Sequence, residues 1–267
     1  MGYENVGKVW SVNSFAQYLA QMAPPAWCKA ITLHHTGSPS LADRPKGLLI
    51  QHIHNIKSFY MKEKGWSAGP HLFIDEDEIF GMCDLQTHGV HAASFNKLAI
   101  GIEVLGNYDA EDPKGKRGLD CWRNATGTAA VLLDWLKLPI NSETVLFHRD
   151  DPQTNKKCPG KLVDKDWVLG LIHQAHDFTK EPGPFKHPEV GFEWTAWQYT
   201  AGRWCVPIYD FLVARGVPAK EVASKLKSVA GEHFYGTEPL EGSYYVKDTQ
   251  KTWAPLHEVL EVAGLNA

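Results

Sequence analysis

Along the first two thirds of the chain, apolar and polar positions switch repeatedly between the strand period and the helix period. Ala30-Ile31-Thr32-Leu33-His34 is a short β-rich run that ends at a Gly-Ser-Pro turn. Between residues 46 and 63 the apolar side chains fall at Leu49, Ile50, Ile53, Ile56, Phe59 and Tyr60, the spacing of a helix face. The runs from His71 to Asp75 and from Glu78 to Phe80 bracket an acidic turn and predict a hairpin. Leu98 to Leu105 is apolar almost throughout, as in a strand buried on both faces. Residues 125–137 predict a helix, Thr144 to Phe147 a strand, and Asp164 to Phe178 a closing helix. Strands mixed with helices in this way imply an α/β domain over residues 1–178, with a central mixed sheet flanked by helices.

The pattern changes after Phe178. Thr179 to Pro188 holds three prolines and a glycine in ten residues, which marks residues 179–190 as a linker. Residues 191–267 predict a small α+β accessory domain with a weak internal repeat. Trp204, Pro207, Asp210 and Gly216 are echoed by Trp253, Pro255, Glu258 and Gly264. Each unit places proline near a helix start, an acid in its first turn and glycine past its end. Trp and Tyr side chains there suit contact with glycan.

Composition narrows the classes. With 43% hydrophobic and 22% charged residues among 267, the chain can bury a sizeable core without a metal to fold it. A net charge of -4 gives no cationic footprint for nucleic acid or anionic lipid. No stretch approaches the roughly 18 apolar residues of a membrane span. The N-terminal segment lacks the basic and apolar regions of a secretory signal, so the expected site of synthesis is the cytoplasm. Five scattered cysteines make a disulfide framework improbable and leave each one available as a thiolate ligand.

Three short segments carry chemistry. His34-His35-Thr36 ends a strand, His148-Arg149-Asp150 follows another, and Lys156-Lys157-Cys158-Pro159-Gly160 lies in the loop beyond. Two imidazoles and a thiolate are three ligands of a catalytic zinc, whose fourth position stays open to water. Such donors do not suit magnesium or calcium. Other histidine pairs are poorer. His52 and His54 are two apart on a helix and share no face, while His88 with His91, and His173 with His176, are three apart.

In sequence order, these segments resemble the zinc-dependent N-acetylmuramoyl-L-alanine amidases, a family that includes phage amidase lysozymes and animal peptidoglycan-recognition proteins. The matching blocks are His34-His35-Thr36, Gly65-Trp66-Ser67 before His71 to Asp75, Gly89-Val90-His91-Ala92, Ile100-Gly101-Ile102-Glu103, His148-Arg149-Asp150 and Lys156 to Gly160. They span about residues 28–175. The resemblance implies zinc held by His34, His148 and Cys158, with His35 either packing or supporting the ligands from behind. It implies Glu103 as catalytic acid/base and Lys156 as the charge that steadies an oxyanion. His91, Asn96 and Trp66 become substrate-binding candidates. Where some relatives carry an assisting tyrosine this chain has Pro70, which shifts the weight to Glu103. Bacterial peptidoglycan is then the partner, and the implied activity is that of a bacteriolytic endolysin acting on the cell wall. Two other readings stay open, a peptidoglycan binder without activity and a zinc peptidase that cuts within the stem peptide. Cys158 favours an enzyme, because the family's inert binders typically carry serine there.

Overall fold

The strand segments β1 (Val9–Trp10), β2 (Ala30–His35), β3 (Leu72–Ile74), β4 (Ile79–Gly81), β5 (Ala99–Val104) and β6 (Val145–Phe147) form one mixed sheet in the order β1-β4-β3-β5-β2-β6. The computed structural model describes residues 2–179, 185–186, 193–194, 198–200, 203–229, 232–235, 238–239, 244–246, 251–255, 259 and 263–264. By contacts the chain divides into two units, Met1–Thr179 and Lys180–Ala267. In the first, β3, β5, β2 and β6 run parallel, and the β3–β4 hairpin with β1 extends one edge antiparallel. Four helices accompany the sheet: α1 (Val12–Leu19), α2 (Ile50–Lys62), α3 (Lys116–Leu136) and α4 (Lys165–Thr179). Ile31 and Leu33 on β2, with Ile100 and Ile102 on β5, are wholly buried, as the apolar runs predict for central parallel strands.

Helix α3 packs against β2, β3 and β5 and against α1 and α4. It begins nine residues before the predicted start at residue 125. Its first turns carry Gly118, Asp120 and Asn124, so no apolar stripe marks them, but all three are buried. Asn124 holds this half of the helix to the sheet: its Nδ2 donates to the Asp75 carbonyl at 3.0 Å and to that of Glu78 at 3.2 Å, across the β3–β4 turn. Its own Oδ1 finds no partner. Asn124→Ala is therefore expected to lower unfolding free energy by about 1 kcal/mol, the low end for a buried hydrogen-bonded group. A shifted urea midpoint at unchanged slope checks this.

Helix α1 also goes beyond the sequence pattern. Ser11 and Ser14 cap it reciprocally, Ser11 Oγ accepting from the Ser14 N–H at 3.3 Å and Ser14 Oγ from the Ser11 N–H at 2.9 Å. Val12, Phe15 and Leu19 bury its inner face, a stripe too short to read against loop.

The second unit is α+β. Helices Ile208–Ala214 and Ala219–Lys225 accompany antiparallel strands, among them Arg203–Pro207 paired with Lys251–Pro255. Of the predicted linker 179–190, all but Thr179 and Phe185–Lys186 lies outside the described residues. In the first repeat Pro207 precedes the helix and Gly216 follows it at φ 89°. Most of the second repeat's helix lies outside the described residues.

Candidate metal centre

Parallel register builds the site. His34 on β2 pairs with Glu103 on β5, and Glu103 with Phe73 on β3. β6 ends at Phe147, opposite Leu33, so His148 continues the same row. Neighbours on a strand point to opposite faces, which separates the two adjacent histidines. The His34 side chain is buried in the row. The His35 ring instead stacks on Tyr108, and its Nδ1 accepts from the Tyr108 N–H at 3.1 Å.

His148-Arg149-Asp150 forms a single 3₁₀ turn, and each residue has its own task. Asp150 closes the turn by accepting from the Phe147 N–H at 2.7 Å, and it pairs with Lys165. Arg149 clamps the loop that delivers Cys158: its N–H donates to the Cys158 carbonyl at 2.8 Å. Its guanidinium donates to the carbonyls of Gly160 at 2.9 Å and Val163 at 2.8 Å. Gly160 lies at φ +110°, and a Cβ there would come within 2.5 Å of the Tyr108 backbone. Only glycine suits that approach.

As a result, His34 Nδ1 lies 3.0 Å from His148 Nδ1 and 3.6 Å from Cys158 Sγ. Among the described residues, these three form the one group of metal-type donors, their ligand atoms all within 4.8 Å of one another. Their chemistry fits a cation. Burial holds His34 well below the ordinary imidazole value and lowers His148, so both rings are neutral with a lone pair to offer. Burial, then the charge of Glu103, pushes the Cys158 thiol up. A cation among the donors would offset that penalty, and two imidazoles with one thiolate match zinc. His52 is occupied elsewhere, its Nδ1 accepting from the Leu49 N–H at 3.1 Å.

The donors line a cavity of about 410 Å³, together with Glu103, Lys156, His91 and Trp66. Glu103 Oε1 stands 4.0 Å from His34 Nδ1. Burial pushes its carboxyl up to about 8, and the Lys156 charge acts in the opposite sense. Trp66 is partly exposed, its ring 5.1 Å from that of Tyr60. His91 has both ring nitrogens engaged: Nδ1 is 3.1 Å from His34 Nε2, and Nε2 is 3.0 Å from the Ala99 carbonyl. Asn96 shapes the loop that carries it, its Oδ1 accepting from the N–H groups of His91 at 2.7 Å and Ala92 at 2.9 Å.

Tyr60 is a cavity residue with no local sign in the sequence beyond its place on the apolar stripe of α2, four residues after Ile56. Its ring packs over Gly69, where a Cβ would meet it at 3.0 Å, and Pro70 lines the same cavity. Burial and then the Glu103 charge push the Tyr60 hydroxyl up, which keeps it protonated beside a proline that has no proton to give.

A profile of the family described as N-acetylmuramoyl-L-alanine amidase matches residues 23–161. The chain belongs to this family. The donors His34, His148 and Cys158, and Glu103 beside them, all fall within the matched span of this family member, whose relatives act on peptidoglycan. Among solved structures, a mutant endolysin from Bacillus subtilis is 24% identical over 56% of this chain and 88% of its own, with a TM-score of 0.42. The N-acetylmuramoyl-L-alanine amidase LysC from Clostridium intestinale is 21% identical, covering 65% and 95%, with a TM-score of 0.44. Wild-type PGRP-LB from Drosophila is 22% identical, covering 53% and 79%, with a TM-score of 0.39. No curated protein sequence matches the chain. Among the described residues no helix is long and apolar enough to cross a membrane.

Proposed function

We propose that this family member is a zinc-dependent N-acetylmuramoyl-L-alanine amidase that hydrolyses the bond between the lactyl carbonyl of N-acetylmuramic acid and L-alanine, as a bacteriolytic endolysin. The observation that carries the reading is the convergence of His34 Nδ1, His148 Nδ1 and Cys158 Sγ beside the Glu103 carboxyl in one cavity. Zinc, when bound there, polarises a carbonyl oxygen and makes water acidic near neutrality. The remaining work falls to side chains of this chain. Glu103 Oε1 takes the proton of the attacking water and returns it to the departing L-alanine nitrogen. Its raised affinity for a proton suits both halves of that transfer. Lys156, on the cavity wall, steadies the negative charge that grows on the carbonyl oxygen. The Trp66 ring, partly exposed at the cavity, offers a flat apolar face to substrate.

Purified protein should hold one zinc per chain and clear a suspension of cell walls, and a chelator should stop the clearing. Zinc-free protein that clears walls at full rate would overturn the reading. We assign the second unit to wall attachment, supported by its tryptophans and tyrosines. A chain ending at Thr179 should hydrolyse soluble muropeptide at the parent rate yet sediment less with intact walls. Equal sedimentation would make the second unit purely structural.

A further inference from the structure

We propose that His91 is a positioning residue, which holds His34 in the tautomer that leaves Nδ1 free to bind metal. The inference rests on the zinc reading above for its consequence, though not for its geometry. A carbonyl oxygen can only accept, so the 3.0 Å contact of His91 Nε2 with the Ala99 carbonyl puts the His91 proton on Nε2. With that proton on Nε2, the neutral ring carries its lone pair on Nδ1. That lone pair faces His34 Nε2 at 3.1 Å, and the contact needs one proton, which must be that of His34. His34 Nδ1 is thereby left bare, on the side where His148 and Cys158 converge. The 3.0 Å contact between the two Nδ1 atoms needs one proton too, which in the metal-free chain belongs to His148. The orientation thus runs from a backbone carbonyl through two imidazoles to the metal position. Outer partners of metal-binding histidines fix tautomer and ring angle in this manner.

The sheet is built to admit this relay. His91 lies over Gly101 of β5, where a Cβ would meet the His91 ring at 2.5 Å. Gly101 precedes Glu103 by two residues and so shares its face. Its lack of a side chain makes room for the imidazole behind His34. Neither apolar periodicity nor turn chemistry requires glycine at the centre of this buried strand, and the His91 ring supplies the reason.

The test is nitrogen NMR of the full-length chain labelled in histidine, first freed of metal with a chelator and with His34 assigned by its substitution. The expected spectrum has His34 and His91 both protonated at Nε2 and bare at Nδ1. A His34 protonated at Nδ1 in the parent protein would overturn the proposal without any variant. In His91→Phe the His34 tautomer should become mixed and the zinc Kd should rise about 10- to 100-fold. His91→Asn, whose side-chain oxygen can stand where Nδ1 stood, should recover most of that loss. Gly101→Ala should act like His91→Phe by displacing the ring. An unchanged His34 tautomer and zinc Kd in His91→Phe and Gly101→Ala would overturn the proposal. Tautomer and zinc affinity are read without substrate, so failure of the amidase reading would leave them intact, and their failure would leave peptide release unaffected as a question.

Discussion

Replacing Cys158 with serine should give a folded chain that holds no zinc and releases no peptide. The loop that carries Cys158 is fastened by Arg149 through backbone carbonyls and by Gly160 against Tyr108, and none of these contacts involves Sγ. Serine fits the same space, so the loop should keep its course. Its hydroxyl does not ionise and is a poor match for zinc beside two imidazoles. The expected fall in kcat/KM is at least ~10³-fold, a barrier increase of roughly 4 kcal/mol at about 1.4 kcal/mol per factor of ten. Thermal stability in the presence of zinc should also fall to that of the chelated parent, because stabilisation by a ligand is lost with its site. Metal analysis and peptide release on the same preparation decide the matter. A zinc-loaded, active serine variant would remove Cys158 from the site.

Glu103→Gln separates metal holding from proton transfer. The amide keeps the shape of the carboxyl but cannot take a proton from water. Zinc content should stay at the parent level while kcat drops by about 10²- to 10⁴-fold, the usual weight of a general acid/base. The same variant has a signature in stability. Burial raises the Glu103 carboxyl from 4.5 to about 8, so the folded metal-free chain keeps a proton there that the unfolded chain has released. Stability falls with pH wherever the folded state binds more protons. Chelated parent protein should therefore lose stability relative to Glu103→Gln as pH rises from about 4.5 to about 8. The difference should level off above that window. Parallel curves would mean that Glu103 is not held in its protonated form. A parent-like kcat would turn the search for the proton carrier toward Tyr60.

The features that were legible in the sequence are those written in local patterns. β2 and β5 show as apolar runs because central parallel strands are covered on both faces. The row that joins His34 to Glu103 was not legible, because pairing register is a tertiary property. Family resemblance favours His34 over His35, and the structure supplies the physical reason: alternation along β2 turns the His34 ring toward His148 and Cys158 and sets the His35 ring against Tyr108. The first turns of α3 escaped because Asn124 and Gly118 face neighbours that only folding provides. Tyr60 and His91 escaped as partners of Glu103 and His34 for the same reason. The hydrogen bonds of Arg149 were equally hidden. A basic residue beside a histidine says nothing about the two loop carbonyls it will hold.

Mass spectrometry of peptidoglycan digested with and without a chelator tests the central claim most directly. The expected products are whole stem peptides with a free L-alanine N-terminus, together with glycan strands stripped of peptide. Both should vanish with chelator and return with added zinc. Peptides cut within the stem, or the same products formed at full rate in chelator, would contradict a zinc amidase built on His34, His148 and Cys158.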